Sequence, residues 1–433
     1  MTAPGAPGAS TALLTDRYEL TMLAGALADG SGDRPCVFEA FARRLPNGRR
    51  YGVVAGVGRL LDAITRFRFG DAEIEQLAAA DVVDTPTLDW LADYRFSGHV
   101  DGYPEGELYF PGSPLLTVRA SFAEGVLLET LVLSVLNHDS AVASAAARMV
   151  SAANGRPIIE MGSRRTHEQA AVASARATYL AGFGSTSNLE AGRTYGIPTT
   201  GTSAHAFTLL HDSEEQAFRS QIDVLGPDTT LLVDTYDITR GIDTAIKVAG
   251  PDLRAVRIDS GDLGVLARHA RDQLDSLGAR NTRIVVSGDL DEFAIASLRA
   301  EPVDAYGVGT SVVVGSGAPT AGMVYKLVEV DGRAVAKRSS HKESRGGRKA
   351  ALRRHKETGT ALEEVVYQAD GPHPGLGEHD RELQIPLIRD GDVVPDAPTL
   401  DDGRERLRGA LVSVPWEGLK LSQGEPAIPT TFV

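Results

Sequence analysis

The chain is expected to be an α/β protein: an irregular seven-stranded, TIM-like α/β barrel, joined to an α+β domain built from its N-terminal and C-terminal segments. Three observations lead there. From Pro157 to Gly309 apolar, strand-like runs alternate with helical patterns, which implies right-handed crossovers and a parallel sheet. Between Val233 and Thr310 these runs end in bursts of Asp, Ser, Gly and Arg, and the carboxyl ends of barrel strands converge on one face. On both sides of this region the alternation stops. Seven units rather than eight make the barrel incomplete; an open doubly wound sheet is the alternative.

Residues 1–10, rich in Ala, Pro and Gly, read as a disordered tail rather than a signal peptide. An N-terminal α+β domain is expected over 11–120. It holds a helix from Leu13 to Asp29, a strand from Val37 to Phe41 and a Gly-rich turn entering a helix between Arg49 and Thr65. Further helix runs from Asp71 to Tyr94 with a break at Pro86, and short strands and turns lie between Gly98 and Val118. The barrel is expected over 121–322. Glu124 to Leu136 is apolar almost all round, as an enclosed helix is, and Asp139 or Ser140 can cap the next helix, which stops at Gly155.

Seven strands follow: Pro157 to Met161, Gly182 to Thr186, Ile197 to Thr202, Thr230 to Val233, Ala255 to Asp259, Arg283 to Ser287 and Ala305 to Gly309. Helical patterns separate most of them, including Glu168 to Ala181, Glu214 to Val224, Leu263 to Leu277 and Asp291 to Ala300. The last segment, 323–433, should pack back on the N-terminal domain through antiparallel strands at Met323 to Val330, Arg333 to Lys337 and Leu383 to Leu387. Asp331-Gly332 makes a good hairpin turn there, and Arg404 to Val412 a helix.

Bulk properties narrow the function. A 433-residue chain with 42% hydrophobic content can bury a large core. Its formal charge of −14 argues against nucleic-acid binding, which needs a basic surface. Cys36 is the one cysteine, so intrachain disulfides and cysteine-rich zinc sites are excluded and a reducing cytoplasm fits. The longest apolar stretch, Val126 to Leu136, is too short to span a bilayer, so no membrane partner is expected.

The chemistry concentrates at the strand ends. Gly162-Ser163-Arg164-Arg165 would put two guanidiniums, planar forks suited to carboxylate or phosphate, at the pocket mouth; the bland reading pairs them with Glu168 or Glu190. Gly201-Thr202-Ser203-Ala204-His205 offers a histidine able to move a proton or accept a phosphoryl group, whereas His211 sits in a helix start without such context. Asp234 and Asp237, with Asp259, Ser260, Gly261 and Asp262, could bind sugar hydroxyls or a magnesium ion shared with phosphates. Asp262 alternatively caps the helix at Leu263. Ser287, Gly288, Gly307, Gly309 and Thr310 occupy the usual phosphate position of barrel enzymes. Lys337 to Lys356, with nine Lys or Arg and one Glu, is either a solvated hairpin or a basic flap, Lys337 and Lys342 included, over a polyphosphate. No metal ligand set is assigned.

These motifs, together with Leu14-Thr15-Asp16-Arg17-Tyr18-Glu19-Leu20-Thr21-Met22, Arg257 to Leu263 and Lys337 to Lys349, resemble the nicotinate phosphoribosyltransferases, of the type II phosphoribosyltransferases. The resemblance implies that nicotinate attacks C1 of 5-phosphoribosyl 1-diphosphate to give nicotinate mononucleotide and diphosphate, with magnesium as cofactor and ATP hydrolysis coupled as in a ligase. It implies that His205 is phosphorylated by ATP, that Tyr18 stacks on the pyridine ring across a homodimer interface, that Arg257 lies near the nicotinate carboxylate, and that Arg164 or Arg165 lies near the diphosphate. The chain departs from the family pattern at Ala206, where a serine is common, and at Gly288, where an asparagine is frequent.

Nicotinamide phosphoribosyltransferase is the nearest rival, but a neutral substrate does not require Arg257, and quinolinate enzymes are much shorter. A non-catalytic phosphoribosyl-binding barrel would be expected to lose His205. A barrel aldolase or isomerase would want a Schiff-base lysine or a strand-end base, for which Glu160 is the one candidate.

Overall fold

The computed structural model describes residues 9–337 and 344–433. The expected tail falls mostly on residues 1–8, outside the described residues, as does Lys342. By contacts the chain divides into two compact units, Met1–Ser144 with Ala318–Val433, and Ala145–Gly317.

The first unit is built on a seven-stranded antiparallel sheet in the order Arg333–Ala334, Met323–Val330, Pro35–Ala42, Leu116–Ser121, His99–Gly102, Ile385–Arg389, Asp392–Val393. Asp331 and Gly332 both take positive φ, 50° and 71°, as a two-residue turn between paired Val330 and Arg333 requires. Pro86 opens the helix Thr85–Asp93 rather than breaking a longer one, with Asp84 capping Thr87 N at 3.1 Å, because a proline fits the first helical turn, where its missing N–H is no loss.

Asp139 and Ser140 cap nothing. The helix Glu129–Ala153 runs through them without a break, and their side chains serve tertiary partners: Asp139 accepts from Arg59 at 2.8 and 2.9 Å, and Ser140 Oγ from Ala55 N at 3.1 Å. The helical stretch Phe122–Ala153 is long and apolar enough to cross a bilayer by length and composition, but 67% of its most apolar window is buried inside the protein, as in a core helix.

Seven residues of the basic run form a strand. Lys349–His355 pairs with Ala361–Gln368 in a four-stranded sheet, and its buried cations have carboxylate partners: Lys349 meets Glu39 at 2.8 Å and Arg353 meets Glu107 and Glu364 at 2.5 and 2.8 Å. Lys337 is exposed.

The second unit carries a curled, parallel half-barrel of six strands in the order Ser185–Thr186, Ile158–Glu160, Ala305–Val308, Arg283–Ser287, Ala255–Ile258, Thr230–Leu232. First and last strands in sequence lie side by side, Gly307 opposite Ile159, which is the cyclic order of a barrel. The expected strand Ile197 to Thr202 is reduced to one bridge, Thr199 to Thr186. Pro198 has no N–H to donate, so it offers the ladder only its carbonyl, to Thr186 N at 3.0 Å.

Candidate functional site

All the strand-end candidates lie in the second unit, and those around Asp234 and Asp259 form one bonded cluster. Asp234, just beyond Thr230–Leu232, has a side chain only 1% exposed. Its Oδ2 accepts from Asp259 N and Ser260 Oγ, each at 2.9 Å, so one carboxylate fixes the turn that ends the neighbouring strand. Its Oδ1 is buried, has no hydrogen-bond partner among the described residues, and lies 3.9 Å from His205 Nε2. His205 opens the helix His205–Leu210, is partly exposed, and places Nδ1 3.1 Å from Thr235 Oγ1.

Arg257 stands beside this group with 11% of its side chain exposed. Nη1 donates to Thr202 Oγ1 at 3.0 Å and Nη2 lies 3.5 Å from Asp259 Oδ1, while Nε is buried without a partner among the described residues. Ser287 Oγ donates to Asp259 Oδ1. Gly288 has φ 112°, and a Cβ there would stand 2.3 Å from the Asp259 carbonyl oxygen, so this backbone has no room for the asparagine common in the family. Gly307 lies in the last strand, Ala305–Val308, Gly309 follows it, and Thr310 opens the helix Thr310–Val313.

Other candidates stand apart. Arg164 and Arg165 are exposed in the turn after Ile158–Glu160, with no side-chain bond among the described residues; Glu168 and Glu190 face His167 and Arg193 instead. Ser203 is half-buried, and Gly261 has φ 92°. Asp262 takes its bland role, accepting from Val265 N at 3.1 Å, and Asp237 caps its own helix by accepting from Arg240 N at 2.9 Å. His211 ends a helix rather than starting one, with Nδ1 2.8 Å from Phe207 O. Tyr18 belongs to the first unit, 46% exposed on the helix Arg17–Ala28, its hydroxyl pKa raised by burial and by Glu129 and Glu19.

Two residues of this face were missed. Thr235 lacks a signal beyond adjacency to Asp234. Glu214 opens the helix Glu214–Leu225 with Oε1 buried and unpartnered among the described residues; burial, opposed by Arg240 and helped by Asp237 and Asp234, pushes its pKa up to about 6. Among the described residues no group of three or more His, Cys, Asp or Glu is spaced to hold a metal ion.

A curled parallel sheet with an imidazole, a guanidinium and carboxylates on its strand-end face belongs to the α/β enzymes whose sites sit at that face. A family model described as nicotinate phosphoribosyltransferase (NAPRTase) N-terminal domain matches residues 13–137. The chain is 65% identical over 429 residues to nicotinate phosphoribosyltransferase pncB1 of Mycobacterium tuberculosis, covering 97% of this chain and 95% of that one. It is 31% identical over 454 residues to the nicotinate phosphoribosyltransferase of Homo sapiens, covering 87% and 83%. The crystal structure of human nicotinic acid phosphoribosyltransferase superposes with a TM-score of 0.83 at 26% identity, covering 96% of this chain and 97% of that one. The chain belongs to the nicotinate phosphoribosyltransferase family.

Proposed function

We propose that the chain joins nicotinate to 5-phosphoribosyl 1-diphosphate, releasing diphosphate and forming nicotinate mononucleotide for NAD salvage. The observation that carries this is Arg257: a nearly buried guanidinium with an unpartnered Nε at the strand-end face, which an anionic pyridine carboxylate meets with a charge-assisted hydrogen bond and a neutral amide only with an uncharged one. The pyridine nitrogen is itself the nucleophile and needs no general base. Departure of diphosphate builds positive charge on the ribose and negative charge on the leaving group; Arg164, Arg165 and the backbone amides near Ser287, Gly288, Gly307, Gly309 and Thr310 meet the phosphates. Thr202, Ser203, Asp259, Ser260 and Gly261 line the remaining contacts.

ATP is the co-substrate in this reading, its γ-phosphoryl group passing to His205 and then to water, which makes the enzyme ligase-type. Asp234, with its free buried Oδ1, is the carboxylate suited to a magnesium ion held mostly by substrate phosphates, which would neutralise their charge. Tyr18 and Met22, exposed one turn apart on the helix Arg17–Ala28, with Leu14 exposed just before it, support a homodimer in which Tyr18 serves the partner's pyridine site. A cytoplasmic location fits this set of substrates.

The test is a panel of nicotinate, nicotinamide and quinolinate with the ribosyl donor, with and without ATP. Nicotinate alone should react well, and faster with ATP; preferential turnover of nicotinamide would transfer the assignment to the rival activity.

A further inference from the structure

Glu160 is the acid that the reading above leaves idle. It ends the first strand of the parallel sheet with no exposure at all, and no lysine or arginine pairs with it among the described residues. Its two oxygens do different work. Oε1 accepts from Gly162 N, and Oε2 accepts from Thr186 Oγ1 at 2.5 Å, on the adjacent strand. Thr186 Oγ1 in turn accepts from Asn188 N at 3.0 Å, and Asn188 Nδ2 donates to Ser163 Oγ at 3.0 Å, which closes a ring of hydrogen bonds around the turn. Arg165 N donates to Gly162 O at 2.8 Å inside the same turn.

A buried carboxylate without a cation costs stability, because burial disfavours its charged form, and its pKa is raised accordingly. A core filling the same space with Leu or Met would avoid that cost. What Glu160 does instead is hold the two residues that precede Arg164, whose guanidinium and that of Arg165 remain unengaged. The turn also has a hard wall behind it: a Cβ on Gly162 would stand 2.2 Å from Val313 Cγ1 and 3.2 Å from Gly309 O, so the arginine turn and the glycines of the last strand end are packed against each other.

We propose that Glu160 is a positioning residue for the ribosyl donor: by fixing Gly162 and, through Thr186 and Asn188, Ser163, it sets where the Arg164-Arg165 guanidiniums stand relative to the Gly307 to Thr310 loop. The proposal rests on reading that face as the diphosphate site. It assigns Glu160 no proton transfer and no contact with substrate.

Glu160→Ala leaves Gly162 N without its acceptor, and the expected result is a KM for 5-phosphoribosyl 1-diphosphate raised about tenfold, or about 1.4 kcal/mol, with the nicotinate KM within about twofold of the parent. Glu160→Gln, which keeps the volume and replaces one acceptor oxygen with a donor, and Thr186→Val, which keeps the volume and removes both hydrogen bonds of Oγ1, should raise the donor KM about threefold, and they carry the test if the alanine variant does not fold. A lowered melting temperature with both KM values unchanged in all three variants would make Glu160 merely structural and overturn the proposal. So would a selective loss of nicotinate affinity. Arg164→Ala and Arg165→Ala, measured alongside, separate the two levels. If they raise the donor KM while the Glu160 and Thr186 variants do not, the positioning role is wrong; if neither arginine affects donor affinity, the diphosphate reading of the turn is what fails.

Discussion

Two clusters of buried charge, one in each unit, differ in how completely they are satisfied. In the first unit Arg353 Nη1 donates to Glu107 Oε1 at 2.5 Å, and Nη2 donates to Glu364 Oε2 and Leu108 O, both at 2.8 Å. Arg381 adds bonds of 2.5 and 2.9 Å to Glu107, and Tyr103 and Ser113 donate to the other oxygen of Glu364. Burial alone would raise the Glu107 pKa, but the Arg353 and Arg381 guanidiniums hold it down at about 2. Arg353 Nε and Arg257 Nε are alike, each buried without a hydrogen-bond partner among the described residues, so the contrast lies in the carboxylates: every oxygen of Glu107 and Glu364 is bonded, whereas Asp234 Oδ1 and Glu214 Oε1 in the second unit are buried without a partner. A closed network specifies a fold; an open one stores interactions for something that arrives. By this criterion the first cluster reads as structural and the second as the candidate site, although both are rich in Arg and Glu or Asp.

The sharpest way to break this contrast is at His205, the nucleophile candidate of the open cluster. His205→Ala should abolish ATP hydrolysis and phosphoenzyme formation while leaving slow, ATP-independent nucleotide synthesis, as labelling with γ-phosphate-labelled ATP would show. Equal labelling of variant and parent would remove the histidine from the assignment. In the closed cluster, Arg353→Ala leaves Glu364 without a cation and Glu107 with Arg381 alone, and should cost about 3 to 5 kcal/mol of stability, the usual penalty for breaking a buried pair. Denaturant midpoints measure it. Both KM values should remain near parental in the folded fraction; a selective change in either would give the closed cluster a catalytic role that its geometry denies.

Arg257→Ala tests the open cluster on the substrate side. Loss of a charge-assisted contact to a carboxylate is expected to weaken nicotinate by about 1.5 to 3 kcal/mol while leaving the ribosyl donor nearly unaffected. Michaelis constants for both substrates decide it, and a loss confined to the donor would move Arg257 to the phosphate side.

The open cluster was far more legible in the sequence than the closed one. His205, Asp234, Arg257, Asp259 and Ser287 each follow or end an apolar run, and strand ends of a parallel sheet share a face whatever the loops do. Glu214 carried no such mark, because it opens a helix whose approach to Asp234 is a matter of tertiary packing. The closed cluster hid for the opposite reason. Arg353 and Glu364 sit inside paired strands and are buried, so a pattern that equates charge with surface takes Lys349–His355 for part of a solvated flap. Asp139 and Ser140 misled in the same way, as polar residues in mid-helix whose partners, Arg59 and Ala55, come from elsewhere in the chain. The strand expected from Ile197 to Thr202 failed locally, at Pro198.

The smallest expected effect separates position from function within the same face. Asp262 lies three residues from Asp259, on the same strand-end turn, and by sequence alone either could bind a sugar hydroxyl. The structure gives them different occupations: Asp259 Oδ1 accepts from Ser287 Oγ and faces Arg257, whereas Asp262 Oδ1 accepts from Val265 N at 3.1 Å and begins the helix Leu263–Ser276. A helix start leaves backbone donors unmet, and replacing an aspartate cap with alanine costs about 1 kcal/mol. Asp262→Ala should therefore lower the unfolding free energy by about that much while both KM values and the ATP-stimulated rate stay parental. Thermal or denaturant unfolding read beside steady-state kinetics makes the distinction. A several-fold rise in the donor KM without a stability change would show that the carboxylate leaves its cap to meet the ribose, and that a satisfied hydrogen bond is a weaker sign of a structural role than the two clusters suggest.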